Sequence, residues 1–231
     1  MVTISKQLVL SKLKAGLIHF LISLSIFGLV LAWVWFVAYP DVYFTMAGAV
    51  QGLTLVFLVD VVLGPLLSFL VYNPKKPKKE IFSDFAIIGL VQVGALLYGL
   101  NTLYQEHPKA VVVYHKSSAT VFNKRELDEV ANFNLNGDYS KWGELPVAVY
   151  SPSVSRQAPY QTLSNSLNII QETDKITRPS LSADDKATLE NLEKTHGKLY
   201  VIAVLAKYNG AYFALNQELQ LVAKFGEKPI S

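Results

Sequence analysis

The chain has 231 residues, 51% of them hydrophobic, which is enough for a small membrane bundle and one modest soluble domain. It has no cysteine, so disulfides, thiolate catalysis and cysteine-based zinc sites are excluded. The net charge of +3 is spread thinly, and the part after Glu106 is near neutral, so nucleic acid is not an expected partner.

Lys6, Lys12 and Lys14 precede an apolar run, Ala15–Tyr39, of 25 residues without a charge. That is longer than the core of a signal peptide, and no small-x-small cleavage site follows, so the run predicts an uncleaved anchor helix. Roughly Met46–Tyr72 and Phe85–Tyr104 give a second and a third span. Each reaches the ~20 residues needed to cross a ~30 Å hydrocarbon core. Lysines stay on the cytoplasmic side. The N-terminal tail has three lysines and the second connection four, Lys75, Lys76, Lys78 and Lys79, while the first connection has none. The N-terminus and the second connection are therefore expected inside, and everything after Tyr104 outside. The lysine cluster reads as a stop-transfer and topology signal, with a contact to anionic lipid or protein as the other reading.

Asp60 is the one charge between Thr45 and Asn73, inside Val56–Leu67. A carboxyl group at membrane depth is costly, so it faces protein or water and has a role. Twelve residues separate it from Tyr72, which at 1.5 Å per residue places it roughly 18 Å deep. Gly64-Pro65 follows and loosens the local backbone hydrogen bonding. Gly48 and Gly52, then Asp60, Gly64 and Ser68, fall at i+4 spacing, and Gly16, His19 and Ser23 make a polar stripe on the first span. Small residues in such rows let helices approach closely. Two readings stay open: the faces pack the three spans together, or part of the row docks a helix from another protein. Candidate partner-binding residues are Asp60, Gly64, Pro65, Gly48, Gly52 and His19, with His19 a candidate donor to Asp60.

Beyond residue 107, Ala110–Tyr114, Thr120–Phe122 and Pro146–Tyr150 read as strands. Asn123-Lys124-Arg125-Glu126 has capping-box form and opens a helix with Leu127, Val130 and Ala131 inward. Ser151–Ala158 reads as a loop. Leu163, Leu167 and Ile170 fall at helical spacing, and Ser182-Ala183-Asp184-Asp185 caps another helix that Gly197 stops. Leu199–Lys207, an Asn209-Gly210 turn, Tyr212–Leu215 and Leu219–Phe225 read as a closing meander.

His19, His107, His115 and His196 lack metal-ligand spacing, and nucleophile-elbow, P-loop and dinucleotide fingerprints are missing. An aspartyl dyad of Asp60 and Asp84 fails on depth, because the two must share a proton at near contact. Neither an enzyme nor a cofactor is expected.

Lys12–Ser23, Val59–Leu67 running into Val71-Tyr72-Asn73-Pro74-Lys75-Lys76, Asp84–Ile88, Gln92 and Tyr98-Gly99-Leu100 together resemble the TfpX/TfpZ family of type IV pilin accessory proteins. The resemblance is specific over roughly residues 12–108 and loose beyond. It implies a non-enzymatic, multi-pass protein of the bacterial inner membrane that helps a cognate major pilin reach the pilus. Pilins have a long apolar N-terminal helix with a processed amine, which such a bundle could hold, making that amine a second candidate donor to Asp60.

The expected architecture is a membrane α-helical part, residues 1–106, with three transmembrane helices and a cytoplasmic N-terminus. It is followed by a small periplasmic α+β domain, residues 107–231, with an antiparallel sheet. The expected function is that of a pilin-specific assembly factor or chaperone supporting pilus biogenesis. Its partners are the cognate pilin, membrane lipids and the pilus assembly machinery. The alternative is a membrane-anchored sensor or binding module whose periplasmic domain takes another ligand.

Overall fold

A computed structural model describes residues 6–130, 139–151 and 159–229. Ala131 and most of the expected loop 151–158 lie outside the described residues. The chain divides into two units, one of residues 1–37 and 50–104, the other of residues 38–49 and 105–231.

The first unit is helical. Helix α1 is Lys6–Trp33, and a π-helical turn, Val34–Ala38, extends it. Helix α3, Ala49–Val56, passes into a π-helical stretch, Phe57–Leu63, and then into α4, Gly64–Val71. Helix α5 is Lys78–Glu106. Among the described residues, three stretches, Lys6–Ala38, Ala49–Val71 and Lys78–Glu106, are long and apolar enough to cross a membrane. The first starts before its expected span, at Lys6, and the third runs past both ends of its span, because Lys and Glu are good helix formers and carry the backbone hydrogen bonding beyond the apolar stretch. The second falls just inside its expected bounds.

Small residues set the helix spacing. A Cβ on Gly16 would lie 3.2 Å from the Pro65 carbonyl oxygen and 3.3 Å from the Phe69 Cβ, so α1 and α4 meet nearly backbone to backbone. A Cβ on Gly52 would lie 2.5 Å from Leu103, and one on Gly99 2.8 Å from Val56, which brings α3 against α5. Dispersion contacts of this kind drive helix association where no hydrophobic effect operates between spans. Phe27 and Phe57 add an edge-to-face pair at 5.3 Å. Lys12 donates from Nζ to the Leu70 carbonyl at 2.7 Å, supplying a partner to a carbonyl in the last turn of α4.

Among the described residues, the second unit is built on one eight-stranded sheet. Its strands are β1 (Pro108–Tyr114), β2 (Ala119–Asn123), β3 (Lys141–Trp142), β4 (Leu145–Tyr150), β5 (Tyr160–Gln161), β6 (Tyr200–Leu205), β7 (Gly210–Leu215) and β8 (Leu221–Lys228). Its helices are α2 (Tyr43–Met46), α6 (Lys124–Glu129), α7 (Leu167–Thr177) and α8 (Ala183–His196). The order is β3-β4-β1-β2-β6-β7-β8, with β5 pairing β4.

The sheet is mixed, which corrects the expectation of an antiparallel one. β1 pairs β4 in parallel and β2 pairs β6 in parallel, while the remaining pairings are antiparallel. Parallel neighbours need a long crossover. Helices α7 and α8 stand in the chain between β5 and β6 and give the room for one. Strand periodicity shows where strands are, not which strand returns beside which.

The expected caps are present. Asn123 and Glu126 form a capping box at the start of α6, and Ser182 accepts from the Asp185 amide at the start of α8. Gly197 ends α8 with φ 77°, a conformation that suits glycine. Leu163 and Ile170 are buried as their spacing suggests, but Leu163 sits in a separate 3-10 turn and Leu167, at the exposed start of α7, faces out.

One sheet face packs Leu199, Val201, Ala203, Tyr212 and Ala214 against Leu181 and Leu189. Alternate residues point the other way. There Phe213 meets Trp142 at 6.1 Å and Tyr43 at 6.4 Å. Residues 38–49, which the sequence reading grouped with residues 1–106, are thus part of the core of the sheet unit. The Tyr208 amide donates to the Met46 carbonyl at 3.0 Å, and Lys224 pairs with Asp41 at 2.8 Å.

Candidate functional site

The site is built around a break in helical register. In a π-helix the carbonyl of residue i accepts from the amide of i+5, and the Gly64 amide does donate to the Val59 carbonyl. The next carbonyl along is that of Asp60, and its i+5 partner is Pro65, which has no N–H. The side chain of Gln92 on α5 fills the vacancy, donating from Nε2 to the Asp60 carbonyl at 3.3 Å. Gly64 makes this possible, since a Cβ there would overlap the Gln92 amide group. Proline, glycine and glutamine therefore act together: one removes a donor, one clears the path and one replaces the donor.

Asp60 is 8% exposed, and its Oδ1 has no hydrogen-bond partner among the described residues. A buried acceptor left so costs about 1–3 kcal/mol, and more when charged. His19, the candidate donor on α1, shows no hydrogen bond to Asp60 among the described residues; its Nδ1 and the Ser68 Oγ share one of 2.5 Å. Even so, His19 and Asp60 line one cavity of about 120 Å³, with Ser23 and Ile26 of α1 and Gln92 and Val93 of α5.

A second, wider hollow of about 540 Å³ lies between Val30 and Trp33 of α1 and Leu97, Leu100 and Tyr104 of α5. The two linings follow one another at helical spacing, Ile26 to Val30 to Trp33 on α1 and Val93 to Leu97 to Leu100 on α5. The two hollows thus succeed one another between α1 and α5, apolar along their walls, with Asp60 in the lining of the first, and together they make up the α1–α5 furrow.

The other expected residues fall as follows. Gly52 and Gly64 pack inside the first unit, against Leu103 and Gln92. Gly48 is not on the second span. It lies in the turn before α3 with φ +99°, and a Cβ there would lie 2.5 Å from the Tyr208 ring, so it belongs to the second unit. A left-handed glycine cannot continue a helical row. Lys76 has a specific partner, pairing with Asp84 at 2.7 Å, and this contact holds its ammonium pKa above the ordinary value. Gln92 was missed as a site residue. The signal for it was faint, a proline five residues after Asp60, which orphans a carbonyl without saying which helix satisfies it. Among the described residues no three His, Cys, Asp or Glu side chains are grouped to hold a metal.

No family profile matches the chain, and no solved structure matches it. Three related sequences do, all from Dichelobacter nodosus. The chain is 37% identical over 128 residues to the fimbrial assembly protein of serogroups C1 and C2, covering 54% of the chain and 97% of that relative. The chain belongs to the fimbrial assembly proteins. It is also 40% identical over 108 residues to the serogroup I fimbrial assembly protein, covering 47% of the chain and 42% of the relative. Against that of serogroup E1 the identity is 35% over 128 residues, covering 54% and 49%. The matched region thus spans about half the length of these last two fimbrial assembly proteins.

Proposed function

We propose that this fimbrial assembly protein holds the fimbrial subunit in the bilayer before the subunit enters the fimbria. Its narrower placement among TfpX/TfpZ-like type IV pilin accessory proteins rests on the resemblance of residues 12–108. The single observation that carries the functional reading is the match along 97% of a relative named a fimbrial assembly protein. Three helices of spanning length and the furrow between α1 and α5 support a role exercised inside the membrane.

In this reading the protein sits in the bacterial inner membrane, oriented by its lysines with the sheet unit in the periplasm. Its work is binding rather than catalysis, and it uses no cofactor. Its partners are the cognate major pilin and, through it, the assembly machinery. A clean deletion should sharply reduce surface fimbriae while the subunit gene is still transcribed, and reintroducing the gene should restore them. Normal fimbriation in the deletion strain would refute the role.

A further inference from the structure

A furrow in a bilayer fills with something, and three occupants compete here: lipid, a second copy of the chain and a different protein. Lipid tails suit the apolar walls but offer nothing to the buried Asp60 Oδ1. A second copy offers no strong cation either, since the chain has no Lys or Arg from Ala15 to Pro74 or from Glu80 to Pro108. Its histidine at this depth, His19, commits its Nδ1 to Ser68 within its own chain. Charge complementarity therefore favours a different protein. From Gly89 to Tyr104 the furrow follows 16 residues of α5, a rise of about 22 Å, which seats about four turns of helix.

We propose that the furrow between α1 and α5 seats an apolar helix of the fimbrial subunit, and that this helix presents a cationic, hydrogen-bond-donating nitrogen to Asp60. The inference rests on the assembly role proposed above. The flanks Ile26, Val30, Val93 and Leu97 supply dispersion contacts along the helix, and Asp60 fixes its depth. A charge-assisted hydrogen bond of this kind is roughly twice as strong as a neutral one. It forms only at one register of the seated helix, so it selects the partner as well as holding it.

The test uses the full-length protein in fimbriated cells. A photo-crosslinking residue is placed at Val93 or Leu97 in the furrow, or at Leu90, which is 74% exposed on α5 and does not line it. Adducts are identified and normalised to the protein present in the membrane. The proposal predicts adducts with the fimbrial subunit from positions 93 and 97 and few from position 90. Asp60→Asn should lower the adducts about tenfold, as expected for loss of one charged contact, and Asp60→Glu should retain most of them. If Asp60→Asn fails to accumulate, Val30→Trp, which fills the furrow and leaves Asp60 in place, must lower them instead. Equal adducts from position 90 would overturn the proposal. So would adducts undiminished by these variants, adducts with a second copy or lipid alone, or no furrow adduct in cells that make fimbriae. Failure of the assembly role is seen separately, as normal fimbriae in the deletion strain.

Discussion

Tyr43 shows how much a single side chain can link. It lies in the short connection 38–49, yet its ring packs on Phe213 at 6.4 Å and lies 4.8 Å from the Lys224 ammonium. Its hydroxyl is buried without a partner among the described residues, and burial pushes its pKa well above the ordinary tyrosine value. The neutral phenol is thus favoured in the folded state. Its contribution to stability is full below the ordinary tyrosine value of about 10 and is lost as pH rises beyond it. Tyr43→Phe should keep the packing and remove an unsatisfied hydroxyl. It should leave stability at pH 8 unchanged or raise it by about 1 kcal/mol, and it should flatten the alkaline decline. Thermal unfolding in detergent across pH 8 to about 11 reads both effects; a large loss at pH 8 would show that the hydroxyl has a structural partner. At this scale the sequence was uneven. Asp60 announces itself as a charge in an apolar run. Trp142, fully buried with Nε1 donating to the Leu219 carbonyl at 3.1 Å, does not, because its partner lies 77 positions away.

Among elements, the register break in the second span is the one that the sequence half reveals. Gly64-Pro65 marked a weak point, but the π-helical stretch Phe57–Leu63 and its repair by Gln92 come from tertiary packing. If Pro65 is the reason the Asp60 carbonyl needs a donor, the two residues are coupled. Gln92→Leu should cost about 1–2 kcal/mol alone, the worth of one buried hydrogen bond whose acceptor is left bare. In a Pro65→Ala background the restored N–H can serve the same carbonyl, so the cost should nearly vanish. A double-mutant cycle on unfolding free energy reads this coupling directly, and strict additivity would refute the register argument. The soluble unit hides a comparable device. Arg178 donates to Glu193 at 3.1 Å and to the Leu199 carbonyl at 2.5 Å, while Asp174 accepts from the Val201 amide at 2.8 Å. These bonds tie α7 and α8 to the region of β6. The caps of α6 and α8 were legible because capping is local; this clamp and the parallel pairing of β2 with β6 were not, because both join residues far apart in the chain.

For the whole molecule, the orientation proposed from the lysine asymmetry is one that fusion enzymes can read. Alkaline phosphatase, active only outside the cytoplasm, should be active when fused after Ser231 and inactive when fused after Lys79, and the opposite pattern would reverse the account. Residues 38–49 belong to the sheet unit, where Tyr43 packs on Phe213 and the Met46 carbonyl accepts from the Tyr208 amide. The central claim is that the protein holds the fimbrial subunit within the membrane. The most direct measurement is recovery of that subunit with the tagged full-length protein, after crosslinking in intact membranes and isolation in mild detergent. The account predicts that unassembled subunit is recovered specifically, and that an unrelated three-span protein at equal abundance recovers none. A strain whose fimbriae depend on the protein, yet whose subunit is never recovered with it, would contradict the account.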